Sequence, residues 1–215
     1  RVAGKCGALA SDLLDGIRWA AGLPVNGVPS NGTPAKIINL SFGGSESCLS
    51  ARSQAYLATV NELVANGVLL VVAAGNNATT LRRPADCPGV LAVGAVRKDG
   101  LKTHYSSYGA NIALSAPGGS GDSNNIAQDP YDPLWSLDNG GDKGPGAHNT
   151  GGKIGTSFSA PLAAGVASLM LTINPDLSPD DLIQRMKLGT KPFPAVPGYA
   201  DCNPNLSSSG LCNCT

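Results

Sequence analysis

This sequence is short of charge and of aromatic side chains, and both shortages limit what the chain can be. Of its 215 residues, 14% are charged, 5% are aromatic and 42% are hydrophobic. Such a composition predicts a folded chain with its own core and argues against disorder. Fifteen basic residues balance fifteen acidic ones, so neither nucleic acid nor an anionic membrane is expected as the main partner. The length suits one sizeable domain.

Recognisable targeting segments are also lacking. Pro161 and nearby polar residues interrupt the longest apolar stretch, so no membrane-spanning segment is expected. The chain opens on RVAGKC rather than on a Met and an apolar run, which does not match a signal peptide. We therefore expect a mature or cleaved product, or a part of a longer chain.

Cysteine is well represented, in contrast to Met and the aromatic residues. Six cysteines and two methionines in a chain of this size indicate an oxidising compartment and disulfide bonds. Zinc is the alternative, but the CxC at 212–214 lacks the two-residue gap of most zinc knuckles and has no His near it in sequence. Disulfides are the favoured interpretation, although their connectivity cannot be deduced from spacing.

Apolar runs alternate with helical patterns along the chain. Runs that are apolar throughout are typical of parallel strands covered on both faces. The predicted fold class is therefore α/β with three layers: a mostly parallel sheet with helices on both faces. Ser11 and Ser178 are the predicted N-caps of two of the helices. The predicted strands cover 37–42, 68–74, 90–96 and 112–116, and the predicted helices cover 12–21, 50–66, 157–173 and 178–188.

One long segment, residues 117–153, contains few apolar residues and many Gly, Asp, Asn and Ser. It predicts an elaborated surface loop, because structureless segments of this length are usually functional or mobile. Its Asp and Asn side chains could bind calcium, but they do not match a 12-residue calcium loop. A solvated loop is therefore favoured, and structural calcium stays open.

A serine stands at the start of a long apolar helical segment. Proline is tolerated in a first helical turn, so Pro161 predicts that Ser157 lies at the helix N-terminus. Free N–H groups and the helix dipole there favour an attacking alkoxide and a developing oxyanion. The helix is apolar nearly all round, which predicts burial. A simple N-cap is the commoner role of such a serine, and the GxSxG signature of other serine hydrolases is absent.

Five segments together resemble the subtilisin-like serine proteases (subtilases). GTSFSAP at 155–161 is similar to the family's nucleophile motif, and AAGN at 73–76 to the segment whose Asn completes its oxyanion hole. INLSFGG at 38–44 is similar to the strand that pairs with substrate. YSSYG at 105–109 and APG at 116–118 also resemble family segments. The resemblance covers about residues 1 to 190, in the family's order.

The resemblance implies a role for each matching position. Ser157 would be the nucleophile, and its backbone N–H would hold the oxyanion together with the Asn76 side chain. Asn76 alone could equally be a turn residue after a strand. Two further segments would hold the peptide substrate: Ser41, Phe42 and Gly43 along its backbone, and Ala73, Ala74 and Gly75 as a wall of the pocket for the residue before the cut.

The family's catalytic base and its orienting carboxylate are missing from this sequence. The family carries them in His-Gly-Thr and Asp-Ser/Thr-Gly segments, and neither occurs here. The two histidines, His104 and His148, both follow Asn76, whereas the family's base precedes that position. Residues 1–215 are therefore expected to be the C-terminal portion of a single catalytic domain, inactive alone, with an N-terminal segment supplying Asp and His.

Three function classes follow. The first is a secreted, extracellular endopeptidase acting on polypeptides without a catalytic cofactor; a non-catalytic peptide-binding or assembly module is second, and an ester or lipid hydrolase third. The resemblance favours the endopeptidase, because a binding module needs neither Ser157 nor Asn76. Three disulfide pairings are expected with it: Cys48 with Cys87, Cys202 with Cys212 or Cys214, and Cys6 with the N-terminal segment.

Overall fold

Four parallel strands form the main sheet of the computed structural model, which describes residues 2–4, 7–121, 131–141 and 144–194. Their spatial order is β1-β2-β3-β4, the same as their order along the chain. Leu40 pairs with Val72, and Val71 pairs with Leu91. The strands are β1 (Ile37–Leu40), β2 (Leu69–Ala73), β3 (Leu91–Val96) and β4 (Leu114–Pro117).

Helices cover both faces of this sheet. They are α1 (Ala10–Ala20), α2 (Gln54–Ala65, preceded by a 3₁₀ turn, Ala51–Ser53), α3 (Thr156–Ile173) and α4 (Pro179–Leu188).

Strand β2 shows why the sheet is buried on both sides. Its side chains alternate between two apolar clusters: Leu70 and Val72 pack with α1 and α2, while Leu69 and Val71 pack with α3 and α4. Alternation of this kind follows from the two-residue period of a strand. The three-layer fold predicted from continuous apolar runs is confirmed.

The two predicted N-caps have different outcomes. Ser178 caps α4 as expected: its Oγ accepts from the Asp181 N–H at 3.1 Å, and Asp181 Oδ2 accepts from the Ser178 N–H at 3.1 Å. The Ser11 prediction is wrong, because α1 begins at Ala10, two residues earlier than predicted, and Leu9 occupies the N-cap position. The Leu9 carbonyl already accepts from the Leu13 N–H at 3.1 Å, which places Ser11 inside the first turn.

The capping box of α4 has a measurable consequence for stability. Ser178→Ala is expected to destabilise α4 by about 1 kcal/mol, because the Asp181 N–H loses its side-chain partner. Faster amide hydrogen exchange in residues 180–184 would show the loss, and Ser178→Asn should restore protection. Equal exchange in all three proteins would contradict the prediction.

Acid should weaken the same cap. The hydrogen bond from the Ser178 side chain, followed by that from the Ser178 N–H, lowers the pKa of Asp181 below 3.8. A carboxyl whose pKa is lower in the folded state stabilises the fold above its unfolded pKa. That contribution is lost as the pH falls through the folded pKa.

Helix α3 departs from the expectation of full burial. Ala160, Ala163 and Ala167 face the sheet and are almost completely buried. On the opposite face lies a stripe of large apolar side chains, which we call the α3 stripe. These residues are 46% to 87% exposed: Leu162, Val166, Leu169 and Ile173. The burial prediction is therefore wrong for half of the helix, because nothing among the described residues packs over the stripe.

The same helix corrects the expectation that no segment reaches membrane-spanning length. It has 18 residues and a mean hydropathy of 1.5, which is enough by length and composition alone. Pro161 does not interrupt it. The helix contacts all four strands of the sheet, as a core helix does.

The predicted loop at 117–153 contains regular structure. Strands β5 (Leu134–Asn139) and β6 (His148–Lys153) form an antiparallel hairpin. Lys153 Nζ lies 2.8 Å from Asp138 Oδ2 and lowers the pKa of that carboxyl. Both strands are mostly exposed: β6 is polar, and the apolar residues of β5 do not alternate regularly with polar ones, so the sequence pattern could not reveal the hairpin.

Candidate active site

The carboxyl ends of β1 and β2 meet the N-terminus of α3 at a cleft of about 200 Å³. Clefts in parallel sheets typically lie at this edge, beyond the ends of the strands. All the predicted site residues line this one cleft. Its lining comprises residues 41–44, 73–77, 79–80, 82–83, 107 and 156–157.

Ser157 occupies the second position of α3, as predicted. Within the described part of the chain, neither its N–H nor its Oγ has a hydrogen-bond partner. The free N–H is one of the first-turn donors that a helix cannot use internally. A reacting oxygen placed beside Ser157 would therefore find an available donor and the positive end of the α3 dipole.

Pro161 connects Ser157 to the substrate segment in an unexpected way. It is the sixth residue of α3, so the prediction that it lies in the first turn is wrong. Because proline has no N–H, the Ser157 carbonyl lacks its usual helical donor. Ser41 Oγ donates to that carbonyl at 3.0 Å. The hydroxyl thus satisfies the group that proline leaves unpaired and ties residue 41 to the helix.

Asn76 is held by its side-chain oxygen. Asn76 Oδ1 accepts from the Thr156 N–H at 2.9 Å and from Thr156 Oγ1 at 2.8 Å. A backbone N–H can only donate, so the atom facing it must be the oxygen of the amide. The Nδ2 group of Asn76 is consequently left with its two donors beside Ser157, with no partner among the described residues.

Thr156 is the residue that sequence reasoning missed. It is completely buried, and its Oγ1 also accepts from the Gly75 N–H at 3.1 Å. One hydroxyl therefore links the end of β2 to the start of α3. Threonine at the first position of a helix was visible in the motif, but its partners lie about 80 residues away and no local pattern points to them.

Gly155 allows the Asn76 side chain to approach the start of α3 closely. Its φ of +142° is rarely adopted by residues with a side chain, and an added Cβ would lie 3.3 Å from Asn76 Nδ2. Its N–H donates to the Gly118 carbonyl at 2.8 Å, and Tyr105 Oη lies 3.2 Å from the same nitrogen. The segments around 105 and 118 therefore support the turn that presents Ser157.

The extended segment after β1 leaves its backbone open. Phe42 and Gly43 make no backbone hydrogen bonds to the described residues, and β1 is an edge strand of the described sheet. An edge with unpaired N–H and C=O groups can accept another strand. The predicted strand over 37–42 ends two residues earlier, at Leu40, which leaves this segment outside the ladder.

Among the described residues that line the cleft, none can serve as a base for Ser157. These residues include no His, Asp or Glu. His104 stacks edge-on against Tyr105 with ring centres 5.4 Å apart, and His148 begins β6. The structure brings together the predicted nucleophile, amide and substrate segments, and the described residues place no proton acceptor with them.

A buried disulfide lies outside the lining of the cleft. Cys48 and Cys87 are bonded, which confirms the predicted pair. Both are buried, and the Asp86 carboxylate accepts from the Cys48 N–H at 3.0 Å. Among the described residues, these three side chains are also the one group of potential metal ligands, but both sulfurs are used in the disulfide. The other pairings involve Cys6, Cys202, Cys212 and Cys214, which lie outside the described residues.

Comparison with known protein families accounts for this arrangement. The model of the Subtilase family matches residues 1–196. The chain belongs to the subtilase family. Subtilase relatives include an extracellular protease of Xanthomonas campestris, 39% identical over 177 residues, which cover 81% of this chain and 28% of that relative. An extracellular basic protease of Dichelobacter nodosus is 39% identical over 188 residues, or 85% of this chain and 28% of that relative.

Solved subtilase structures agree with the fold described above. A protease of Pseudoalteromonas arctica is 41% identical with a TM-score of 0.81, covering 91% of this chain and 56% of that one. A cold-adapted subtilisin-like serine proteinase is 25% identical with a TM-score of 0.65, covering 87% and 57%. This subtilase chain therefore spans about a quarter of its curated relatives and just over half of the solved chains.

The Thr156 hydroxyl should act on turnover rather than on substrate binding. In the full-length subtilase, Thr156→Val is expected to lower kcat about tenfold with little change in KM. The reason is that the Gly75 N–H loses its partner and Asn76 keeps only one bond. Steady-state kinetics on a peptide substrate would measure both constants.

Thr156→Ser is the matched control, since it keeps the hydroxyl. A serine variant as slow as the valine variant would show that the methyl packing, and not the hydrogen bonds, carries the effect.

Proposed function

We propose that this subtilase chain is the C-terminal part of the catalytic domain of a secreted serine endopeptidase. The observation that carries the proposal is the pair of donors beside Ser157. Thr156 holds the oxygen of Asn76, so that Nδ2 is directed away from it, and the Ser157 N–H has no partner in the described part of the chain. A site built only to bind a peptide needs no such pair next to a free hydroxyl.

The proposed reaction proceeds through an acyl-enzyme. Ser157 Oγ attacks the scissile carbonyl carbon while its proton passes to a base, and the carbonyl oxygen becomes an oxyanion. The Ser157 N–H and Asn76 Nδ2 donate to that oxyanion. The base returns the proton to the leaving amine as the C–N bond breaks, and water then hydrolyses the ester by the same steps.

An extended peptide is the proposed substrate. Its backbone would add to the open edge formed by Ser41, Phe42 and Gly43, as a strand adds to a sheet. The residue before the cut would lie against the wall made by Ala73, Ala74 and Gly75. The hydrogen bond from Ser41 Oγ to the Ser157 carbonyl fixes the substrate-pairing segment relative to the helix that carries the nucleophile.

The base and the carboxylate that orients it are proposed to come from an N-terminal segment of the same protease. The described lining of the cleft offers neither group. The α3 stripe supports the proposal independently, because the described residues leave large apolar side chains exposed on the helix that carries Ser157. A segment packed on the stripe would lie next to the nucleophile's helix.

No cofactor takes part in the proposed chemistry. Structural calcium remains a prediction, and the described acidic side chains do not form a group of oxygen ligands for it. Secretion is supported by the buried disulfide and by the relatives named as extracellular proteases.

A fluorophosphonate probe, which labels activated serines, tests the proposal. The full-length protease should be labelled at Ser157, and its Ser157→Ala variant should not. The 215-residue chain alone should label far more slowly, because the described lining of its cleft offers no base for the hydroxyl. Intact mass under denaturing, reducing conditions would show whether the N-terminal segment is covalently continuous with this chain.

The alternative function is a non-catalytic module that binds peptides or assembles with partners. It would be supported if the full-length protein folded, retained its N-terminal segment and still failed to react with the probe. Labelling at Ser157 without peptide cleavage would point instead to an ester hydrolase.

A further inference from the structure

The cleft carries positive charge that the proposed reaction does not use. Two adjacent arginines, Arg82 and Arg83, follow Asn76 in sequence and line the cleft. They are the charged side chains of its described lining, and no acidic side chain accompanies them there. Since the whole chain has a formal net charge of zero, this local excess is not a general property of the surface.

The side chain of Arg83 is held by contacts within the protein. Its guanidinium lies 2.8 Å from Ser53 Oγ and 3.4 Å from Glu46 Oε2, and 5.0 Å from the centre of the Tyr56 ring. Its backbone N–H donates to the Glu46 carbonyl at 2.9 Å. Glu46 offsets its charge, so Arg83 anchors the segment and does not supply a free cation.

Arg82 is different. It is exposed, and among the described residues its side chain has no hydrogen-bond or ion-pair partner. Its backbone is fixed: the Arg82 carbonyl accepts from the Ala85 N–H at 2.9 Å, and the next carbonyl, of Arg83, accepts from the Gly44 N–H at 2.8 Å. The backbone of Arg82 is therefore fixed relative to the segment proposed to pair with substrate, and its guanidinium has no partner among the described residues.

We propose that the cleft selects an acidic side chain, Glu or Asp, in the substrate residue before the cut, and that Arg82 is its partner. This inference rests on the proposed endopeptidase function. A guanidinium binds a carboxylate through two parallel hydrogen bonds, which adds geometry to charge. A basic residue at the same substrate position would meet like charge from Arg82.

The test compares four internally quenched peptides that differ only in the residue before the cut: Glu, Gln, Ala or Lys. With the full-length protease, kcat/KM should be about tenfold higher for Glu than for its neutral isostere Gln, and lowest for Lys. Mass spectrometry of the products must place the cut directly after the varied residue. Arg82→Ala should abolish the difference between Glu and Gln, Arg82→Lys should keep part of it, and Arg82→Glu should make Lys the better substrate.

Arg185→Ala is the matched control, because Arg185 is an exposed arginine on α4 outside the cleft. It should show the wild-type preference. Fluorophosphonate labelling of each variant at Ser157 reports that the site has folded.

Two results would overturn the inference while leaving the endopeptidase intact: equal cleavage of the Glu and Gln peptides by the wild type, or a preference for Glu that persists in Arg82→Ala. Failure to cleave any peptide, with no labelling of Ser157, would overturn both proposals.

Discussion

Replacing Asn76 with alanine is expected to lower kcat of the full-length protease by about 10²–10³, equivalent to about 2.7–4 kcal/mol. The range comes from mutagenesis of subtilisin, which belongs to the same family. The Nδ2 donors act on the oxyanion, which exists only as the tetrahedral intermediate forms, so KM should change little. Steady-state kinetics on a peptide of known cleavage site would give both constants.

Asn76→Asp is the sharper variant of the same experiment. Its carboxylate can still accept both hydrogen bonds from Thr156, but it offers no donor to the oxyanion. The aspartate enzyme should therefore be at least as slow as the alanine enzyme while the turn around residue 155 stays in place. A loss that appears in KM instead, with kcat preserved, would assign Asn76 to substrate binding and remove it from the oxyanion hole.

Removing the disulfide between Cys48 and Cys87 is expected to destabilise the protease by about 4 kcal/mol. The two cysteines are 39 residues apart, and closing a loop of that length restricts the unfolded chain by about this amount in the chain-entropy account. The paired variant Cys48→Ala with Cys87→Ala would be compared with the parent by guanidinium unfolding. Both proteins should carry Ser157→Ala, so that self-digestion does not distort the result.

Reduction of the unmutated protein offers an independent check on the same bond. Because Cys48 is completely buried, we expect the folded protein to resist reductant and the unfolded protein to react. Identical unfolding midpoints for the parent and the paired alanine variant would contradict the prediction.

Local structure was largely determined by the sequence. The apolar run of β2 predicted a strand buried on both faces, because alternate side chains must find apolar neighbours on each side of the sheet. Ser178, followed by proline and two acids, predicted the start of α4, because a capping hydroxyl and the helix dipole act within one turn. The positions of Ser157 and Asn76 also followed from motifs of a few residues each.

Contacts between distant segments were decided by the tertiary structure. Thr156 meets Asn76 and Gly75 only because β2 and α3 pack against each other, and Ser41 meets the Ser157 carbonyl across 116 residues of chain. The position of Pro161, in the second turn of α3, was predicted wrongly for the same reason. The Ser41 hydroxyl, from a distant segment, satisfies the Ser157 carbonyl that the proline leaves without a donor.

The exposed half of α3 shows most clearly what the sequence could not predict. Its composition predicted burial on all sides, and the alanine face is buried as expected. Burial of the α3 stripe depends on which other segments lie over it, and no property of residues 156–173 specifies them. By itself, the sequence determined the strands and helices of the three-layer core and the segments that carry Ser157, Asn76 and the open edge after β1. Only the tertiary structure decided how the Asn76 amide is held and which surfaces are left for another segment, because both depend on packing between residues far apart in the chain.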